Sequence, residues 1–169
     1  MTHTISQLSR QIAYGRSIAL KILKSLNTTD LNEKLGALEL LDSLPPLPST
    51  DRALELKEFH ETKEIYKRLY TICARSIMEI IGSDFTFGSH DPAHSFNYCD
   101  PEEPKLAAEK IRFLPKAYMG GPIKAALGSP YNQVNRIAVN FYESLPHDIK
   151  YSGSFPDAVR KRVRSIQSI

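Results

Sequence analysis

Three sets of side groups in this sequence could do chemistry. The first is cationic: Arg160, Lys161, Arg162 and Arg164 fall within five residues of one another. Guanidinium groups suit planar, bidentate recognition of phosphate or carboxylate, and a run of cations can follow a nucleic-acid backbone. Tyr131, Tyr142 and Tyr151 lie upstream and could stack on unpaired bases. The plain alternative is a solvated helix face whose charge also favours the helix C-terminal half. Together with Tyr151, the four cations form the candidate partner- or phosphate-binding set.

The second set is His90-Asp91-Pro92-Ala93-His94, with Cys99 and Asp100 close behind. His90, Asp91 and His94 are the candidate metal ligands, because two imidazoles and a carboxylate suit a borderline metal. The spacing matches neither a zinc finger nor a His-Glu-x-x-His helix. Asp91 before Pro92 also starts an ordinary turn. The order His60, His90-Asp91, Asp148 resembles the ligand order of helical HD-type metal phosphohydrolases. Here Gly88-Ser89 and Pro92 surround the central pair, whereas that family sets it in an apolar helix. The third set is the i,i+4 pair His60 and Glu64, which lies among Lys57, Glu58, Glu61 and Lys63 and fits a hydrated helix face. Gly120-Gly121-Pro122-Ile123-Lys124 lacks P-loop spacing and suits a turn between short helices. No cofactor is implied.

The elements that must carry these groups are helices. Thr4–Leu26 keeps a near-3.6 period, opens on a Thr4/Gln7 capping-box pattern and is interrupted by Gly15. Asp30–Leu44 follows and ends at Pro45, Pro46 and Pro48, a rigid connector. Thr50–Ile81 holds no Gly or Pro and predicts a third helix stopped by Gly82. At ~1.5 Å per residue it would span roughly 48 Å, so either a bend occurs near His60–Lys63 or one end projects from the body. Residues 83–100 carry Phe85, Phe87, Phe96 and Tyr98 and predict an aromatic loop or a minor β-hairpin. A helix from Asp100 should end by Leu114. One or two helical turns are expected within Lys116–Gly128. A helix from Ser129-Pro130 buries Val134, Ile137, Ala138, Phe141 and Leu145. The last helix runs from Phe155 to Ile169, capped by Ser154. Its seam is Phe155, Val159, Val163 and Ile166, and all four cations point away from that seam.

The fold class expected is all-α, a bundle of five to seven helices in one domain. That domain comprises a long-helix half at 1–82, a loop at 83–103 and a basic helical half at 104–169. The 22 basic and 19 acidic residues leave +3 overall, and positive charge gathers toward the C-terminus. Residues 101–169 hold eleven basic and six acidic groups, a balance of +5. Such a gradient bears on partners rather than on fold. Cys73 and Cys99 make a poor disulfide framework, so a reduced, cytoplasmic setting is the simplest reading. No apolar run is long enough for a membrane span. The leading expectation is a non-enzymatic binding or adaptor domain whose partner is another protein. The alternatives are nucleic-acid binding through the basic C-terminal helix and a metal-dependent phosphohydrolase. The oligomeric state is not written in the sequence.

Overall fold

The computed structural model describes residues 4–82, 102–153 and 155–168. They are mostly helical, with no strand among the described residues. The aromatic loop or hairpin expected at 83–100, Cys99 included, lies outside them. Packing groups the protein into two compact units, Met1–Ile72 and Cys73–Ile169.

In the first unit, α1 spans Ile5–Leu26 and opens on the expected capping box. The Thr4 hydroxyl accepts from the Gln7 N–H at 3.1 Å, and the Gln7 side chain accepts from the Thr4 N–H at 2.9 Å. Two orphan donors of the first turn are thereby satisfied. Leu8, Ile12, Ala19, Ile22 and Leu26 are buried along one face, and Gly15 lies in the same row. A Cβ at Gly15 would overlap the Tyr66 hydroxyl, which donates to the Pro45 carbonyl at 2.7 Å. The glycine that interrupts the helical pattern is therefore a point of close approach. α2, Leu31–Glu39, is capped by the Asp30 carboxylate and packs back on α1. One 3-10 turn at Leu40–Ser43 extends it toward Pro45.

The long third element breaks earlier than expected. A short α3, Asp51–Leu54, stops before Leu56, and α4 runs from Lys57 to Ile81. Ile12, Ala53 and Phe59 form one small core, with Leu47 and Leu56 packed against it. On a continuous helix, residues six apart point roughly 120° away from each other. The break lets Ala53 and Phe59 face the same core. His60 Nε2 lies 2.6 Å from the Leu54 carbonyl, one of the acceptors that the interruption orphans. α4 stops as its sequence predicts, with Gly82 in the left-handed region at φ 70° and its N–H on the Met78 carbonyl.

The second unit holds the end of α4 together with α5 (Glu102–Glu109), α6 (Gly120–Leu127), α7 (Asn132–Glu143), α8 (His147–Lys150) and α9 (Asp157–Gln167). α6 packs most extensively on α7, and α9 lies on both. Ile77, Ile111, Ile123, Leu127, Val134, Phe155 and Val159 are buried at its centre. Gly120-Gly121, expected in a turn, instead opens α6. A Cβ on Gly121 would come within 2.9 Å of the Met78 sulfur. The bare backbone is what lets α4 approach there.

Candidate binding corner at the C-terminal helix

α9 is two-sided, as its period predicts: Phe155 before it, then Val159, Val163 and Ile166 within it, are all buried. It starts at Asp157 rather than Phe155. Pro156 accounts for the later start, because its ring disfavours helical backbone at Phe155 and it stands itself in an extended conformation just before the first helical residue. Ser154, the expected cap, lies outside the described residues. The cations do not share one fate, which corrects the expectation that all four point away from the seam. Lys161 and Arg164 are exposed. Arg160 is partly covered. Arg162 is buried, at 5% exposure.

Helix geometry explains the split. With about 100° per residue, Arg162 falls roughly 60° from Val159, beside Ile166 on the rim of the apolar arc. Arg160, Lys161 and Arg164 fall on the other side. Inside, the Arg162 Nε donates to the Leu127 carbonyl at 3.1 Å and Nη2 donates to Asn135 Oδ1 at 3.2 Å. Asn135 in turn donates to the carbonyls of Ala126 at 2.8 Å and Ser129 at 2.9 Å. The Ala126 and Leu127 carbonyls end α6, where the helix dipole is negative, and Ser129 follows just beyond it. Arg162 and Asn135 therefore close the C-terminal end of α6 with their side groups. Burial lowers the Arg162 pKa from its ordinary value, yet guanidinium keeps its charge throughout the neutral range.

The expected stripe of α7 omits Asn135. The buried residues are Val134, Asn135, Ala138, Val139 and Tyr142, whereas Ile137 and Phe141 are only half-buried. The face is turned by about one residue because Asn135 must reach α6 and Tyr142 must reach Phe155. The rings of Tyr142 and Phe155 meet edge-on, with centroids 5.4 Å apart. A polar residue inside an apolar register was the available signal.

The remaining groups converge where α7, α8 and α9 meet. Tyr151 is 57% exposed. The Arg160 guanidinium lies 5.1 Å from its ring centre, and the His147 ring lies 4.5 Å away, tilted by 39°. Arg160 also donates to the Phe155 carbonyl at 2.7 Å and pairs with Asp157. Lys150 sits 5.3 Å from the Tyr142 ring centre and pairs with Glu143 at 3.3 Å. Burial pushes the Tyr142 phenol pKa up, against the pull of Arg160 and Lys150. Tyr142 is buried and Tyr131 half-buried, so of the three tyrosines considered for base stacking only Tyr151 is exposed.

The other candidates separate. His90, Asp91 and His94 lie outside the described residues. Among the described residues, no three His, Cys, Asp or Glu side chains gather as a metal site. His60 closes the α3–α4 break, and Glu64 pairs with Lys67 rather than with His60. No helix among the described residues is long and apolar enough to cross a membrane. No family model, curated protein or solved structure matches this sequence.

Proposed function

We propose that this protein is a non-enzymatic helical binding domain that acts through protein–protein contacts. The observation that supports this reading most is the corner around Tyr151. There an exposed aromatic ring lies against a guanidinium of α9 and an imidazole of α8. Aromatic and arginine side chains of this kind most often carry interface energy. The nucleic-acid alternative draws on the same helix, but Arg162 lies inside the fold with its donors on Leu127 and Asn135, which shortens the run of cations open to a phosphate backbone. Lys161 and Arg164 remain as exposed cations of the original four.

The test is an affinity capture from host extract with crosslinking, run beside a Tyr151→Ala variant. A reproducible protein partner whose recovery drops with Y151A supports the reading. Absence of any reproducible partner, together with turnover of a phosphoester substrate, reverses it. A labelled RNA and DNA titration across a salt series provides the second arm, since an electrostatic complex weakens steeply as salt rises. Tight, salt-sensitive binding lost on Lys161→Ser and Arg164→Ser would favour nucleic acid.

A further inference from the structure

We propose that the corner formed by Lys150, Tyr151, Arg160 and Arg164 seats an acidic peptide segment of the partner. The inference rests on the binding-domain reading and names the chemistry of what binds. Lys150 and Arg160 are each backed by an aromatic ring, at 5.3 and 5.1 Å, and are partly withdrawn from water. Their side chains are 19% and 26% exposed. A partly desolvated cation gains more from a carboxylate than a fully hydrated one does.

Each cation already holds a carboxylate, and those carboxylates are on the water side. Asp157 is 85% exposed and Glu143 is 48% exposed. They occupy the positions that the acids of a bound peptide would take; Glu143 also accepts from Gln167 Nε2 at 2.8 Å, so the more exposed Asp157 is the one a peptide acid displaces more readily. Arg164 follows Arg160 by one helical turn and is itself exposed, so the cationic row continues past the pair. Lys150, Arg160, Lys161 and Arg164 outnumber Glu143, Asp148 and Asp157 on α7, α8 and α9. Tyr151 provides an exposed aromatic anchor beside Arg160. Because His147 and Arg160 already lie against that ring, it offers a poor platform for a nucleic-acid base.

The test selects from a random twelve-residue peptide display library on the immobilised protein, then measures synthetic winners by fluorescence anisotropy. Selected peptides should carry paired Asp or Glu residues. Their affinity should drop about tenfold with Lys150→Ser and with Tyr151→Ala, in line with loss of a charge-assisted contact. Asp157→Asn removes the internal competitor for Arg160 and should tighten binding about threefold, a gain that a purely structural role would not produce. Circular dichroism melts confirm that each variant is folded. Winners without acidic residues, or affinities that K150S, Y151A and D157N leave unchanged, overturn the inference. So does an enriched peptide outcompeted by oligouridine RNA, which would assign the corner to nucleic acid. A host partner captured equally by wild type, K150S and Y151A keeps the binding-domain reading and removes this one.

Discussion

Arg162 and Asn135 show how far a residue's role departs from its type. A cation in a basic run is ordinarily a surface group, yet this one closes the end of α6 from inside the fold. Removing it takes the Arg162 donors from the Leu127 carbonyl, which keeps a longer bond from Asn135 Nδ2 at 3.4 Å, and from Asn135 Oδ1. Arg162→Ala should therefore destabilise the protein by about 2–4 kcal/mol. Asn135→Ala should cost about 2 kcal/mol, and the double variant less than the sum, since the two share one network. Urea unfolding of the four proteins measures both; strict additivity would show that the network is not coupled. Cys73 provides a second residue-scale expectation. It is fully buried, and burial pushes its thiol pKa up from 9.0 to about 12. In a Cys99→Ser background, a disulfide reagent at pH 8 should label it only as fast as the protein opens. Rapid labelling of the folded protein would contradict its burial.

At the scale of elements, glycines separate packing from propensity. Gly15 and Gly36 both sit within helices, where alanine is ordinarily better by about 1 kcal/mol. Gly36 is exposed, and a Cβ there meets nothing within 4 Å. Gly36→Ala should stabilise by about 0.5–1 kcal/mol. A Cβ at Gly15 meets the Tyr66 hydroxyl, which its bond to Pro45 holds in place. Gly15→Ala should destabilise by about 1–3 kcal/mol, and Tyr66→Phe in that background should recover part of the loss. Thermal melts distinguish the two sites; a stabilising Gly15→Ala would refute the close approach of Tyr66 to α1.

The whole molecule carries an alkaline limit. Tyr66 is raised by burial, then by neighbouring Tyr70, from 10.0 to about 12, and Cys73 is raised from 9.0 to about 12 by burial. In both, the fold favours the neutral, protonated form. Their stabilisation is fully present below the ordinary values and is lost as pH rises through about 12. Stability should decline from about pH 9 upward, and Cys73→Ala should flatten the first part of that decline. Urea midpoints at pH 8, 10 and 11 test it, and a rise over that range would contradict the sign.

Much of this was legible in the sequence. The Thr4 capping box, the Asp30 cap, the Gly82 stop and the α9 seam are local features, set by neighbours three or four residues apart. All appear in the fold. The break at Glu55–Leu56, the turned face of α7 and the burial of Arg162 were not legible as placed. Each is settled by a contact distant in sequence: Ile12 with Phe59, Tyr142 with Phe155, Leu127 with Arg162. Local periodicity determines that a helix forms and where it stops. Only the packed interior decides which flank turns inward, because it alone brings a carbonyl that needs a donor to a guanidinium that needs an acceptor.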